Sequence, residues 1–470
     1  MKPYLWDPWL TAAEQPGRTA VLADGEHCTF AELTVRADAL GRGLRSAGVE
    51  DGAVLTTDLA TGPRFFALAL AALRYGYGLL PVAPSLFGSG TAARLMSDAN
   101  AVLHVSGTDP AAAGAEGLPV PSLTDEALAS ATRRGPLPMA ARAGHLAFVT
   151  SGTTGEPQAV PRARPPRAYR GVAVDDRYAA GLAFGPHVMG NPAYHLGTLG
   201  PALYALQAGS AVVVQRTWSA DGFADLVDRH GADSAFLGID QLVDAVVADR
   251  PPARRLSILF HGGSACPPAV KRSAIDLFGP VLHEYYGTSR STLTQITTQE
   301  WLEHPGSVGL PLPGIRIEIA REGRALAPGE TGEICVRLRT ADRESGDPEL
   351  LRTGDLGFVD DGGYLFVVGR KTGAHQDGPD PAHLEYQVRL LAGVADVAVT
   401  GGAAPVCYVE TLPGQQERTA RQIVRAAELL GFARPVVRPV TQGTLPRTPS
   451  GKIRRAGLGT WWTTTREATA

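Results

Sequence analysis

Hydrophobic positions along most of the chain alternate between the spacing of amphipathic helices and the short continuous runs of buried strands. Apolar residues recur with a helical period in four segments, which are residues 31–47, 65–75, 220–229 and about 240–249. Short apolar runs typical of buried strands occupy residues 53–57, 101–106, 210–215 and 257–260. Because the two kinds of segment alternate, the sequence predicts an α/β fold in which helices cover mostly parallel sheets in stacked layers.

From about Gly306 onwards the pattern changes to short strands joined by turns. The predicted strands cover residues 315–319, 332–338 and 364–368, and Asp361-Gly362-Gly363 has the composition of a hairpin turn. These strands predict a small antiparallel barrel or sheet. We therefore expect a large N-terminal domain over residues 1–368, in which residues 306–368 form a small β-barrel subdomain.

A second change follows Gly369 and Arg370, where strands and a helix alternate again on a smaller scale. Predicted strands at residues 395–400, 406–410 and 435–440 accompany an amphipathic helix at residues 417–430. The sequence therefore predicts a small α+β C-terminal domain over residues 369–470, with the boundary near residues 368–370.

The composition narrows the classes of partner. Of the 470 residues, 44% are hydrophobic and 19% are charged, and 44 basic against 47 acidic side chains leave a net charge of −3. Neither sign is concentrated in a long run, so neither nucleic acid nor a membrane surface is expected as a partner. The most apolar stretch, residues 65–87, is interrupted by Arg74, glycines and Pro81, which argues against a membrane span.

The spacing of cysteine and histidine gives no metal site. The four cysteines lie far apart without a CxxC pair, and the eleven histidines form no HExxH pattern. The N-terminal residues contain no apolar segment of signal-peptide length. We therefore expect reduced thiols in a cytoplasmic protein, and we assign no metal ligand.

The segment with the sharpest chemical signature follows an apolar strand that ends near Val149. It consists of Thr150, Ser151, Gly152, Thr153, Thr154 and Gly155. Glycines allow several backbone N–H groups to turn towards one point, and the hydroxyls add donors, so this loop can surround phosphate oxygens. It lacks the GxxxxGK[ST] pattern of the P-loop, and a Ser/Thr/Gly-rich turn by itself is more often an ordinary surface loop.

Six further short motifs follow this loop. They are His261-Gly262-Gly263-Ser264, Glu284-Tyr285-Tyr286-Gly287-Thr288-Ser289, Gly306-Ser307-Val308-Gly309, Thr353-Gly354-Asp355, Gly369-Arg370 and Pro449-Ser450-Gly451-Lys452. Each motif alone is compatible with a turn or a strand end. In this order and spacing the chain resembles the adenylate-forming superfamily of acyl- and aryl-CoA ligases, peptide-synthetase adenylation domains and beetle luciferases. The resemblance covers nearly the whole length, from about Ala53 to Lys452.

The resemblance implies a nucleotide site assembled from these motifs. Residues 150–155 would contact the phosphates. The adenine slot would be formed by Gly262, Gly263 and Ser264 together with the Tyr286 ring, which is its stacking face. The other residues of the second motif, which are Glu284, Tyr285, Gly287 and Thr288, would also bind the cofactor. Ser289 would hold the α-phosphate, where the family usually has threonine. Asp355 would accept both ribose hydroxyls, and Arg370 would reach the same ribose.

The resemblance also implies two catalytic residues. Lys452 would bridge the substrate carboxylate and the phosphate during adenylation, where a cation stabilises the charge of the in-line transition state. His195 would line the acyl pocket near the thiol entrance, although a histidine in such a position is about as often structural. The C-terminal domain of this superfamily rotates between the two half-reactions, so a mobile domain is expected after the Gly369-Arg370 junction.

Several positions depart from the family pattern. Gln158 stands where the phosphate loop usually has lysine, and Arg290 stands where a glutamate usually helps to place Mg²⁺. An arginine cannot ligate Mg²⁺ and adds a positive charge at that position, although it could also replace the charge of the metal. Gly373 occupies the place of a hinge aspartate.

The expected function is ATP-dependent activation of a carboxylic acid through an acyl-adenylate, followed by acyl transfer, with CoA as the first acceptor to consider. A carrier-protein thiol on a separate chain or an amine is the next acceptor, because this fold is reused with different nucleophiles. One alternative is a ligase that accepts a preformed acyl-adenylate and carries out only the second step. Another is a scaffold that binds AMP without turnover. The expected ligands are therefore ATP, AMP, CoA and a small carboxylic acid, with Mg²⁺ and a homodimer left open.

Overall fold

The computed structural model describes residues 8–108, 118–130, 137–140, 143–150, 156–162, 185–338, 349–371, 379–401, 404–448, 452–455 and 457–467. The chain forms two compact units. The first comprises residues 1–237, 252–259 and 289–291, and the second comprises residues 238–251, 260–288 and 292–470. The boundary predicted near residues 368–370 falls within the second unit and stays a prediction.

The first unit alternates helices and strands along the chain, as its hydrophobic pattern predicts. Its helices are α1 (Pro8–Glu14), α2 (Phe30–Ser46), α3 (Pro63–Tyr75), α4 (Thr91–Asp98), α5 (Asp125–Ala129), α6 (Leu196–Gln207) and α7 (Ala220–His230). Its strands are β1 (Thr19–Ala23), β2 (Glu26–Thr29), β3 (Val54–Thr57), β4 (Gly78–Pro81), β5 (Ala101–Ser106), β6 (Ser122–Thr124), β7 (His145–Val149), β8 (Ala159–Pro161), β9 (His187–Met189), β10 (Val212–Val214) and β11 (Ser234–Leu237).

Two sheets organise this unit. One has the strand order β6-β5-β3-β4-β7-β8, in which every neighbouring pair is parallel except β7 with β8. The other contains β11-β9-β10-β1-β2, again parallel apart from the hairpin of β1 with β2. Parallel pairs need crossover connections, which explains why helices separate most of these strands. The predicted α/β class is confirmed.

Helices α2 and α3 form the centre of the hydrophobic core of this unit. Helix α2 begins with a capping box, in which Thr29 accepts from the Glu32 N–H and Glu32 accepts from the Thr29 N–H. Helix α3 is buried on nearly all sides, including Phe65 and Phe66. A helix that is apolar all round has to be covered on every face, and α3 packs against α2 and the neighbouring strands.

The second unit contains the elements that carry most of the predicted nucleotide motifs. Its helices are α8 (Ile239–Ala248), α9 (Pro268–Phe278), α10 (Thr298–Glu303), α11 (Pro381–Arg389), α12 (Gln416–Leu429) and α13 (Leu458–Glu467). Its strands are β12 (Ile258–Gly262, whose first two residues belong to the first unit), β13 (Leu282–Gly287), β14 (Thr292–Ile296), β15 (Leu310–Pro311), β16 (Ile315–Arg321), β17 (Arg324–Ala325), β18 (Gly332–Leu338), β19 (Glu349–Val359), β20 (Leu365–Arg370), β21 (Val394–Thr400), β22 (Val406–Thr411) and β23 (Val436–Val440).

The antiparallel segment and the C-terminal α+β segment form as the sequence predicts. Strands β17-β16-β18-β19-β20 make a five-stranded antiparallel sheet. Strands β21-β22-β23 make a three-stranded sheet whose core is closed by α11 and α12 through Leu384, Val388 and Ile423. Within the described residues, no helix is both long enough and apolar enough to cross a bilayer.

A buried ion pair connects α9 to β13. The Lys271 ammonium lies 2.6 Å from a Glu284 carboxylate oxygen, with side-chain exposures of 0% and 6%. Lys271 also lies over the Trp301 ring, with Nζ 5.0 Å from the ring centroid. A charge so deeply buried has to keep its partner, because an unpaired ion in this environment would pay its full desolvation cost.

The ion pair yields a stability prediction. Replacing the carboxylate by Glu284→Gln leaves the buried Lys271 ammonium unpaired, so we expect a loss of about 3–5 kcal/mol in the free energy of unfolding. The double variant Lys271→Met/Glu284→Leu should recover most of this loss, since it removes both charges. Glu318→Gln, at an exposed ion pair with Arg337, should change stability by less than about 1 kcal/mol. Urea unfolding measures all three, and equal effects of the two single variants would contradict the role of burial.

Gly43 marks a close approach of α2 to α5 and gives a second prediction. A Cβ atom at Gly43 would lie 2.0 Å from the Leu128 carbonyl oxygen, whereas one at Gly459 in α13 would meet no atom within 4 Å outside its own helix and its chain neighbours. Gly43→Ala should therefore destabilise the protein by about 1–3 kcal/mol. Gly459→Ala should stabilise it by up to about 1 kcal/mol, because alanine favours a helix over glycine. Thermal unfolding of the two variants gives the comparison, and stabilisation by both would refute the close packing.

Candidate functional site

One carboxylate in the second unit, that of Asp355, contacts two other residues of the predicted nucleotide site. The Tyr286 hydroxyl donates a 2.7 Å hydrogen bond to Oδ2 of Asp355, and Nη1 of Arg370 donates a 2.7 Å hydrogen bond to Oδ1. Asp355 and Arg370 are direct partners across the β19–β20 pairing. Tyr286 comes from β13, so the sequence motifs of three separate strands converge on one acidic group.

The local sequence Thr353-Gly354-Asp355 explains how that carboxylate is presented. The buried Thr353 hydroxyl donates to the Ile334 carbonyl oxygen at 2.8 Å and accepts from the Asp355 N–H at 3.0 Å. Gly354 has a φ of +74°, a backbone conformation that glycine adopts without steric cost. The threonine therefore anchors the turn, the glycine permits it, and the aspartate is directed towards Tyr286 and Arg370.

The Tyr286 hydroxyl acts as a donor in this arrangement. Burial raises the pKa of Tyr286, and the adjacent Asp355 carboxylate raises it further. The phenol therefore keeps its proton and donates a hydrogen bond to Asp355. A carboxylate has room for more hydrogen bonds than these two, because its oxygens offer about four acceptor positions.

Lys452 lies near the same carboxylate. Its side chain is half-buried. Burial lowers the pKa of the Lys452 ammonium, while the Asp355 carboxylate raises it and the Arg370 guanidinium lowers it. The structure thus brings together one anion and two cations that the sequence assigned to the ribose and to the adenylation step.

The glycines after β12 allow a close approach to β13. A Cβ atom at Gly262 would lie 2.5 Å from the Tyr285 carbonyl oxygen, so only glycine fits there. Gly263 has a φ of +86° and is exposed, and Ser264 is half-exposed. At the other strand end, Gly287 is exposed next to an irregularity in the β13–β14 register. These backbone features bring the turn at Gly262 and Gly263 close to Tyr285, the neighbour of Tyr286 in β13.

Beneath this turn lies a buried polar cluster that the sequence did not identify. The Glu284 carboxylate, predicted to bind the cofactor, accepts a hydrogen bond from Lys271. His261 is fully buried with Nε2 4.0 Å from Glu284, and neither ring nitrogen has a hydrogen-bond partner among the described residues. Burial, together with Lys271 and His283, keeps the pKa of His261 well below its usual value, so the ring is neutral. A lysine on the buried face of α9 was the available sequence signal.

The first unit contains the entry and exit of the predicted phosphate loop. The Thr150 N–H donates to the Gln158 carbonyl oxygen at 2.8 Å, and the Gln158 N–H donates to the Thr150 hydroxyl oxygen at 2.8 Å. Arg94 donates to the Pro157 carbonyl oxygen at 2.9 Å and pairs with Glu156 at 3.0 Å. The neck of the loop is therefore closed through the backbone of Gln158. Ser151, Gly152, Thr153, Thr154 and Gly155 lie outside the described residues.

The remaining predicted residues occupy strand and helix ends. His195 precedes the first residue of α6 as its N-cap, without a side-chain cap, and its ring meets Tyr194 edge-on with centroids 4.4 Å apart. Ser289 is half-buried, as is Thr288, and Arg290 is exposed. Within the described residues, no three His, Cys, Asp or Glu side chains form a cluster that could hold a metal ion. The roles of these residues stay predictions.

Comparison with known proteins gives a consistent result. The profile of the AMP-binding enzyme family matches residues 9–341. A fatty acid–[acyl-carrier-protein] ligase of Streptomyces coeruleorubidus is 25% identical, with 95% of this chain and 94% of the ligase covered. A sulfoacetate–CoA ligase of Cupriavidus necator is 27% identical, with 95% of each chain covered.

Solved structures share the fold over nearly the whole chain. The o-succinylbenzoate CoA synthetase of Bacillus subtilis, in complex with its acyl-adenylate intermediate, has a TM-score of 0.77 at 20% identity, covering 96% of this chain and 97% of that chain. An amide bond synthetase of Marinactinospora thermotolerans has a TM-score of 0.77 at 23% identity, covering 97% and 99%. The predicted adenylate-forming resemblance is confirmed, and the chain belongs to the AMP-binding enzyme family.

Proposed function

We propose that the protein is an adenylate-forming acid ligase, which activates a carboxylic acid with ATP and transfers the acyl group to the thiol of CoA. The observation that carries this proposal is the contact of Tyr286 and Arg370 with the Asp355 carboxylate, whose charge also acts on Lys452. An aromatic face can stack on a purine, a carboxylate can accept hydrogen bonds from a ribose, and two cations can bind a phosphate.

Asp355 is the proposed ribose ligand. Both of its oxygens already accept one hydrogen bond, from Tyr286 and from Arg370. The two ribose hydroxyls can use the remaining acceptor positions or replace the tyrosine hydroxyl. The Tyr286 ring then provides a stacking surface for adenine, together with the turn of Gly262, Gly263 and Ser264.

Lys452 is the proposed catalytic cation of the first step. A lysine near the α-phosphate stabilises the negative charge that develops when the substrate carboxylate attacks it. Residues 150–155 and Ser289 are proposed to contact the phosphates, and His195 to line the acyl pocket. A bound Mg²⁺ would neutralise the negative charge of the pyrophosphate. At the position where the family usually has a glutamate that helps to place this ion, Arg290 supplies a positive charge instead of a ligand.

The proposed acceptor rests on the nature of the relatives. Ligases of sulfoacetate and indoleacetate are named for CoA as acceptor. Solved structures of the same fold contain ATP with magnesium, AMP or an acyl-adenylate. We therefore propose CoA as the first acyl acceptor to test, with ATP as the cosubstrate and the acyl-adenylate as the intermediate. A carrier-protein thiol follows, since another relative is a fatty acid–[acyl-carrier-protein] ligase.

A second candidate function is a ligase restricted to the transfer step. Gln158 and Arg290 are the residues that favour it, because both stand where the family handles pyrophosphate and metal. The Thr150–Gln158 backbone pairing would hold the loop neck whatever the side chain at position 158. A fold that keeps its AMP contacts while losing these groups would still accept a preformed adenylate. A non-catalytic AMP-binding scaffold is the third candidate, and Lys452 and Asp355 argue against it.

We also propose that residues 369–470 form a C-terminal domain that changes orientation between the two steps. Arg370 ends β20, and the next residue, Lys371, contacts Glu333 at 3.0 Å. Hydrogen bonds from Arg352, and then from Lys371, lower the pKa of Glu333 to about 2. The Lys371–Glu333 contact lies directly after the end of β20 and fixes Lys371 to the five-stranded sheet. We therefore propose that the reorientation takes place after Lys371.

The ribose assignment predicts a specific loss of affinity. Asp355→Ala should weaken the binding of AMP by about 1.5–3 kcal/mol, because a hydrogen-bonded charged acceptor is removed. Glu318→Ala, an exposed carboxylate of the same sheet, should leave the affinity unchanged. Isothermal titration calorimetry with AMP measures both. Unchanged affinity in a folded Asp355→Ala variant would remove Asp355 from the nucleotide site.

The two leading functions are separated by comparing two routes to the same product. A full ligase should convert free acid plus ATP at a rate comparable to that from a supplied acyl-adenylate, and Lys452→Ala should impair only the first route. A transfer-only ligase should use the supplied adenylate much faster, because a preformed adenylate lacks the phosphates that Gln158 and Arg290 fail to neutralise. In that case Gln158→Lys/Arg290→Glu should raise ATP–pyrophosphate exchange.

Efficient exchange by the wild type excludes the transfer-only function. AMP binding without turnover on either route would favour the scaffold. An acid panel in the exchange assay identifies the substrate class at the same time.

A further inference from the structure

Lys452 lies on one of two paired segments, residues 445–448 and 452–455, which we call the two limbs of the lysine hairpin. Arg447 and Ile453 form an antiparallel bridge across it. The Thr448 N–H donates to the Lys452 carbonyl oxygen at 2.8 Å, and the Arg454 N–H donates to the Pro446 carbonyl oxygen at 2.7 Å. The backbone position of Lys452 is therefore set by the placement of both limbs.

The first limb is attached through Arg447. Its Nη2 lies 2.8 Å from an Asp396 carboxylate oxygen of β21 and 3.3 Å from a Glu410 carboxylate oxygen of β22. The other Glu410 oxygen accepts the Leu445 N–H at 2.9 Å. Glu410 is only 1% exposed, so this attachment is shielded from water and its charges interact strongly.

The second limb is attached through Arg455. Its guanidinium forms an ion pair with the buried Glu385 of α11. The same carboxylate accepts from the Val399 N–H at 3.0 Å and from Arg389 at 2.8 Å. Glu385 thus links the second limb to both a helix and β21, independently of the Arg447 attachment.

Two adjacent residues of the second limb, Lys452 and Ile453, differ in how deeply they are buried. Ile453 is buried in an apolar cluster with Leu445, Tyr408 and Leu458. Lys452, the residue before Ile453, is half-buried. Its ammonium is within electrostatic range of Asp355 and Arg370.

We propose that Arg447 and Arg455 are positioning residues that fix the lysine hairpin at both limbs, so that Lys452 is held in place for the adenylation step. The proposal rests on the proposed function of Lys452. Two separate attachments are needed, because a hairpin held at one limb could still rotate about it. A displacement of about 1 Å of a catalytic group can cost on the order of 10² in rate.

Arg389 provides a matched control for the structural contribution of these ion pairs. It shares the Glu385 carboxylate with Arg455, but it lies in α11 and is less exposed, at 10% against 39%. A purely structural role of the Glu385 cluster therefore predicts that Arg389→Met is at least as harmful as Arg455→Met. Positioning of Lys452 predicts the opposite order for the adenylation step.

The experiment measures two half-reactions in the full-length protein with Arg447→Met, Arg455→Met, Arg389→Met and Lys452→Ala. We expect Arg447→Met and Arg455→Met to lower kcat for ATP–pyrophosphate exchange at least tenfold, with the KM for ATP changed less than threefold. Transfer from a supplied acyl-adenylate should stay within threefold of the wild type in both. Arg389→Met should stay within threefold in both assays, and Arg455→Lys should recover part of the exchange rate, since it keeps the charge.

Hydrogen exchange gives a readout that does not depend on activity. The amides of Thr448 and Arg454 should lose protection in Arg447→Met and Arg455→Met but keep it in Arg389→Met. Equal losses of amide protection in Arg389→Met and Arg455→Met would overturn the positioning proposal. So would retained amide protection together with a wild-type rate of ATP–pyrophosphate exchange in Arg447→Met and Arg455→Met. If Lys452→Ala leaves the exchange rate unchanged, the proposed function of Lys452 fails, and the positioning proposal fails with it. If Lys452→Ala is impaired and the arginine variants are not, only the positioning proposal fails.

Discussion

The Asp355 carboxylate is the interaction on which the organisation of the candidate site depends. It accepts from Tyr286, which is 69 residues away in the sequence, and from Arg370 on the neighbouring strand. It also influences the charge of Lys452. Without this anion, the Arg370 and Lys452 cations would repel one another. One acidic group thus offsets the repulsion between two positive charges in the same part of the candidate site.

The second unit repeats this arrangement with carboxylates that have little access to water. Glu284 contacts Lys271, Glu385 contacts Arg389 and Arg455, and Glu410 contacts Arg447. Burying a carboxylate is costly unless cations or N–H groups surround it, so each of these groups draws together partners from different elements. The consequence is positional: the motif-bearing strands and the lysine hairpin are fixed through ionic contacts as well as apolar packing.

The phosphate-loop region is organised by a different principle. The β7–β8 pairing and the two hydrogen bonds between Thr150 and Gln158 close the loop neck through groups that every residue possesses, except for the threonine hydroxyl. A lysine-to-glutamine difference from the family can therefore alter the chemistry of the loop without altering its closure. The closure of the neck by the backbone is thus separate from the side-chain charge at position 158.

The sequence by itself determined the periodic elements and the order of the motifs. The helical pattern at residues 31–47 and the apolar run at residues 101–106 correspond to α2 and β5, because local spacing decides which face of an element is buried. The turns at Gly262-Gly263 and at Gly354 could be predicted from the sequence for a similar reason, since a tight turn restricts the residue types that it accepts.

Only the tertiary structure decided which charges meet. The contact of Glu284 with Lys271 and the attachments of Arg447 and Arg455 had no sequence signature. Ion pairs between distant elements have no fixed spacing along the chain, because their partners are brought together by the packing of whole helices and strands. The sequence therefore specified which chemical groups are present, and the fold specified which of them act together.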